Sequence, residues 1–442
     1  MVTQTTTPYH LLLGPSQDLL RSEFVGKTLD TVRTPAFTID RDVFAKNCAQ
    51  MHQRATEWGA SFRAHLKTHK TTEGTRLQLI SKNGQSCAVV VSTLVEAWAV
   101  VHSGLVKDGI VKDILYGLPV GVDKIADLSK LWQEIEPQNA VVRLLVDHPD
   151  QVKHLEEFER SQALPRRWSV FVKVHGGQNR AGVRPESQEF RGLIRRLFTS
   201  PIISIHGFYS HASNSYSSTS LSEASSFLSG EVQIVNKAAE IALTEISGHG
   251  DTTHFTRPFV LSIGSTPTAH AASAEARNLL TQVLNGSLEL HAEPIAHTET
   301  GNYPLLDLQQ QHTTLISGPQ VAQRVRATVI SYYQGRGPRG EDEALIDAGA
   351  IAFSKDTGPS GGYGEVVGRP WRLSRISQEH GILSQIQGSE GLREKLEIGS
   401  VVEIIGQHAC LIAASHPWYY IVDQTVGGGK EIVDVWVPWK GW

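Results

Sequence analysis

The chain has 442 residues, 40% of them hydrophobic and 19% charged, with a formal net charge of −4. That composition supports a large core in two or more domains and supplies no basic excess for nucleic acid or an anionic membrane, so a small molecule is the default partner. Three scattered cysteines, Cys48, Cys87 and Cys410, make no disulfide framework, and no apolar run reaches spanning length or forms a secretory leader, so a reducing, cytoplasmic setting is expected.

Residues 1–33 are polar and carry little pattern. Residues 34–39 read as a short strand, with Asp40 as N-cap of a helix over 41–58. Ser61–Lys67 reads as a strand entering a polar loop, and 87–92 as a buried parallel strand, being β-branched and apolar. Helical pattern follows over 95–103. Further strands are predicted at 110–116, 141–146, 169–174, 203–209 and 259–263, with a long helix over 223–245. This alternation predicts βα units closed into a (β/α)8 TIM-type barrel over 35–303. After Tyr303 the runs 321–333, 343–347, 400–405 and 419–422 are short and β-like, and 334–342 and 356–364 are loop-like. They predict a mostly antiparallel C-terminal β domain over 304–442, with the first 34 residues packing on it.

The segment Arg63-Ala-His-Leu-Lys-Thr-His-Lys70 concentrates two lysines and two histidines. A Schiff-base lysine must be deprotonated to attack an aldehyde, which burial or neighbouring positive charge favours. Lys67 ends a strand and would point into a barrel mouth. By composition alone the segment reads as a solvated basic turn before it reads as a Schiff-base site, and His65 and His69 read alternatively as metal ligands.

Several blocks in order resemble the eukaryotic D-serine dehydratase family of fold-type III pyridoxal-phosphate enzymes, related to D-threonine aldolase and alanine racemase. They are Thr34-Pro35 with Asp40 and Asn47, His65–Lys70, Val172–Val183, Gly207–Tyr216, Ser262–Thr268, Glu299–Tyr303, Ala344–Gly349 and Ser354–Gly358. Departures occur at Ala64, where proline is usual, at His175, where an acid is usual, and at Ser213, where glycine is common. The resemblance implies that Lys67 carries pyridoxal 5'-phosphate. It assigns Arg180 to the cofactor's phenolic oxygen, and Tyr209 and His211 to its ring or substituents. Gly264, Ser265, Thr266, Gly301 and Asn302 are assigned to its phosphate, since small residues let backbone N–H groups approach closely. Asp347 and Asp356 are given no catalytic role.

In Gln407-His-Ala-Cys410, an extended chain would turn His408 and Cys410 to one side. Alone the pair is weak evidence for a metal; the resemblance makes it a Zn2+ site, since the family binds zinc with His-x-Cys here and aldolases carry a motif similar to His-x-Asp. The expectation is a zinc- and pyridoxal-phosphate-dependent lyase that dehydrates D-serine, with a D-amino acid as small-molecule substrate and a homodimer as assembly. A D-threonine aldolase, a non-catalytic cofactor carrier and a zinc hydrolase are the rival readings.

Overall fold

Eight parallel strands between residues 61 and 291 close into a barrel in the computed structural model, which describes residues 14–177, 179–211, 220–247, 255–272, 284–291, 303–386 and 395–442. They are β1 (Ser61–His65), β2 (Ala88–Val91), β3 (Asp113–Pro119), β4 (Val141–Val146), β5 (Trp168–Lys173), β6 (Ile203–Tyr209), β7 (Phe255–Ile263) and β8 (Gly286–His291). Each pairs with its sequence neighbour, and β8 closes on β1.

Local sequence accounts for the helices between the strands. Thr93 caps Leu94–His102 by accepting the Glu96 N–H. In Gln188–Thr199, capped by Ser187, the buried residues Phe190, Leu193, Ile194 and Leu197 fall on one face at helical spacing. The expected strands and helices of this region are present within a few residues, except that β8 was not predicted.

The barrel interior holds an apolar layer of Val90, Leu115, Leu145, Phe171 and Tyr209. Arg63 on β1 is 1% exposed and reaches two carboxylates: its Nε donates to Glu289 on β8 at 3.0 Å and its Nη1 to Asp113 on β3 at 2.8 Å. Arg143 on β4 donates to the other Asp113 oxygen at 2.7 Å. Burial alone would raise the Asp113 pKa, but Arg63 and Arg143 hold it well below the usual carboxylate range. Removing one member of such a set leaves a charge uncompensated, which costs about 3–5 kcal/mol. Arg63→Met is therefore expected to lower stability by that amount in urea unfolding; an unchanged midpoint would show the network to be dispensable.

The second unit is a nine-stranded sheet. Its order is Glu343–Ile346, Gly381–Gln385, Trp371–Ile376, Gly364–Val366, Val401–Gly406, Gln323–Tyr333, Ala36–Asp40, Tyr419–Val422 and Asp434–Trp436. The pairings are antiparallel except that between Ala36–Asp40 and Tyr419–Val422, so the mostly antiparallel reading holds. The helix Gln17–Phe24 and residues Leu29 and Val32 pack on this unit against Tyr420, Ile432 and Val435.

The boundaries differ from the sequence expectation. The barrel unit holds Ala49–Pro294 with Trp439–Trp442; the sheet unit holds Gly14–Cys48 with Ile295–Pro438. The strand predicted at 34–39 belongs to the second unit, because its backbone pairs with Gln323–Tyr333 (Phe37 opposite Val325) and Tyr419–Val422 (Ile39 opposite Ile421). Asp40 does cap the following helix: its Oδ1 accepts the N–H groups of Asp42 and Val43 at 3.1 and 3.2 Å.

Candidate active site

Catalytic groups of (β/α)8 barrels come from the C-terminal ends of the strands. Lys67 lies two residues beyond β1 and is partly exposed. Its N–H donates to His65 Nδ1 at 3.3 Å, and His65 Nε2 approaches Ser92 Oγ at 3.5 Å. His69 is fully buried. Its Nδ1 accepts the Thr71 N–H at 3.0 Å and its Nε2 meets Gln78 Oε1 at 2.7 Å, while burial pushes its pKa down to about 4. Both ring nitrogens of both histidines are thus engaged in building the loop, which disfavours a shared ion between them. The two lysines also part: Lys70 Nζ pairs with Glu96, which is fully buried, at 3.0 Å. The Lys70 carbonyl accepts the Trp439 N–H at 2.7 Å, so the C-terminal residues pin this loop.

Around the same barrel end stand Lys173, Tyr209, Ser262 and His291, each no more than 7% exposed. The Tyr209 ring stacks on His291 with centroids 4.0 Å apart, and the Lys173 ammonium lies 4.2 Å from the Tyr209 ring centre. Ser262 Oγ donates to Glu289 Oε1 at 2.8 Å and also contacts His291 Nδ1 at 2.9 Å. With the serine hydrogen on the carboxylate, His291 Nδ1 is the donor to Ser262 and Nε2 carries the ring's lone pair. Sequence reading missed His291 and Glu289; their only signal was the alternation in Ser287-Leu-Glu-Leu-His291.

His211 is buried, and its Nδ1 bonds the Gly264 carbonyl at 2.6 Å. Gly264 has φ +134°, and a Cβ there would collide with the His291 carbonyl, so only glycine lets β7 turn so close to β8. Ser265 is engaged locally: its N–H donates to Thr268 Oγ1 at 2.8 Å and its hydroxyl meets the same atom at 2.9 Å. Thr266 opens the helix Thr266–Ala271. Arg180 stands exposed on the loop after β5, and His175 folds over that loop, accepting the Gly177 N–H at 3.2 Å. Gly301 and Asn302 lie outside the described residues. A lysine just beyond a barrel strand, a buried ammonium over an aromatic ring and a glycine-shaped turn suit an aromatic, phosphorylated aldehyde.

In the sheet unit, His408 and Cys410 are not on an extended segment as expected. The strand Val401–Gly406 ends, His408 is the N-cap residue, and Cys410 sits in the first turn of the helix Ala409–Ser415. Their side chains still lie close enough for Cys410 to act on the charge of the His408 ring. Asp356 accepts from His408 Nδ1. Burial alone would lower the His408 pKa, but Asp356 and Cys410 together push it up to about 10. A carboxylate on Nδ1 leaves Nε2 as the coordinating nitrogen, the arrangement metal-binding histidines favour. Nitrogen and sulfur donors together suit zinc. Among the described residues, no group of three or more His, Cys, Asp or Glu is placed to hold an ion. Asp347, by contrast, serves the sheet, accepting the Thr328 N–H at 2.8 Å.

The closed parallel barrel and the separate β unit define the alanine racemase-like class: the alanine racemase N-terminal domain family matches residues 39–277, and a serine dehydratase domain matches 322–422. The chain belongs to the eukaryotic D-serine dehydratase family. It is 42% identical to the D-serine dehydratase of Schizosaccharomyces pombe, with 97% of each chain covered. It is 33% identical to that of Saccharomyces cerevisiae, covering 95% of this chain and 99% of the other. Among solved structures, a metal-free cysteine-to-alanine mutant of D-threo-3-hydroxyaspartate dehydratase aligns with TM-score 0.74 at 26% identity, covering 94% of this chain and all of that one. Among the described residues, no helix is long and apolar enough to cross a membrane.

Proposed function

We propose that this chain removes water from D-serine to give pyruvate and ammonia, with pyridoxal phosphate on Lys67 and zinc on His408 and Cys410. The observation that carries the reading is the His408–Cys410 pair with Asp356 on the histidine, in a chain 42% identical to a D-serine dehydratase. When bound, pyridoxal phosphate supplies an electron sink for a carbanion and zinc a Lewis acid for a departing hydroxide.

The chain's own residues have these parts. Lys67 would hold the cofactor until the substrate's amine takes its place, and the Nζ amine so freed would then take the α-proton, as a positioned amine can. Arg180 is assigned to the phenolic oxygen, and Tyr209 and His211 to the ring and its substituents. Gly264, Ser265 and Thr266, with Gly301 and Asn302, are assigned to the phosphate. Asp356 keeps the hydrogen on His408 Nδ1. Loss of the α-proton and the β-hydroxyl leaves an enamine, which takes up water and releases ammonia. The reading includes a homodimer in the cytoplasm.

Incubation with D-serine, D-threonine and L-serine, each with and without a chelator, tests it. Pyruvate should form from D-serine and stop when zinc is removed. Glycine with an aldehyde as products would instead establish the aldolase.

A further inference from the structure

Asp307 is a fully buried carboxylate in the sheet unit, and sequence reading gave it no role. Its Oδ1 accepts the Gln310 N–H at 3.1 Å, capping the helix Leu308–His312. Its Oδ2 accepts the Ala409 N–H at 2.8 Å. Ala409 is the residue between His408 and Cys410, so this bond holds the peptide that follows His408 and opens the helical turn that carries Cys410. The geometry points to Asp307 as a positioning residue of the metal pair, an inference that rests on the reading of His408 and Cys410 as the zinc ligands.

Two features make this more than a helix cap. The carboxylate spans two chain segments about a hundred residues apart, so the angle between the ligands is tied to a distant element and not to its own turn alone. It also brings a buried negative charge beside His408, where a divalent cation would be favoured. Asp356 and Asp307 therefore act on different parts of the pair: one fixes the ring, the other the backbone. Groups that orient ligands without touching the metal typically change affinity by about 10–100-fold.

The test compares zinc affinity, by competition with a chromogenic chelator, in the full-length wild type, His408→Ala, Asp307→Asn and Asp307→Ser. Cobalt-substituted protein reports the ligand geometry through its thiolate charge-transfer band. The expected result is a loss of about 10–100-fold in Asp307→Asn with a shifted cobalt band, in metal-free protein that stays folded and retains its cofactor but melts somewhat lower, because the amide keeps only one acceptor oxygen. Asp307→Ser keeps a capping hydroxyl but no charge, and should weaken zinc comparably. Wild-type zinc affinity in a folded Asp307→Asn protein would overturn the inference. So would an Asp307→Ser protein whose loss of zinc is fully explained by a lower melting temperature of the metal-free form. If His408→Ala binds zinc like the wild type, the ligand assignment itself fails, a result distinct from either.

Discussion

Replacing Lys67 by alanine should lower pyruvate formation from D-serine by about 10³-fold or more, since it removes both the cofactor's anchor and a positioned base. Purified Lys67→Ala protein should lose its covalently held cofactor. Borohydride treatment of the wild type should fix the cofactor to the peptide containing Lys67, read by mass spectrometry. The informative control is Lys70→Ala. Lys70 lies three residues on, in the same basic segment, but its ammonium is committed to Glu96 at 3.0 Å. Losing that pair leaves the fully buried Glu96 carboxylate uncompensated, so Lys70→Ala should be less stable yet still labelled at Lys67. A Lys67→Ala enzyme with wild-type turnover, or a label found on Lys70, would refute the assignment.

Changing Cys410 to alanine should strip the protein of its metal while leaving cofactor loading intact. Removing one of the two proposed ligands should leave metal content far below one per chain after gel filtration. Asp356→Asn should be milder. The amide oxygen can still accept from His408 Nδ1 but without the carboxylate's charge, so the ring is held less firmly and zinc affinity should fall about 10–100-fold. Turnover of D-serine should recover in Asp356→Asn when zinc is added in excess, and should stay absent in Cys410→Ala. Full activity of metal-depleted Cys410→Ala would show that hydroxide departs without a metal, and the zinc part of the proposed function would have to be abandoned.

Much of this arrangement was legible in the residues. Apolar β-branched runs such as Ala88–Val91 and Val141–Val146 announced buried parallel strands, because both faces of such a strand meet other elements. Asp40 announced a helix start, and the structure shows its carboxylate on the first N–H groups. The order of the blocks around Lys67 and His408 announced the family. β8 was missed for a physical reason. Glu289 and His291 put charge and polarity into its inward face, and such a strand is tolerable only when Arg63 and Ser262 on neighbouring strands receive them.

The sequence by itself determined the local features: which runs extend, where helices begin, and that one lysine and one His-x-Cys pair belong to a known pattern. These depend on periodicity and capping, which act over a few residues. Tertiary structure decided which sheet each strand joined and which partners each polar group met. Residues 34–39 read as a short strand within the barrel's span, yet the backbone hydrogen bonds of 36–40 go to strands nearly three hundred residues or more along the chain. His408 and Cys410 read as an extended pair, yet they meet across a helix start whose middle peptide is held by Asp307 and whose histidine is held by Asp356. Buried donors and acceptors must be paired wherever the chain brings them together, and sequence distance carries no information about that pairing.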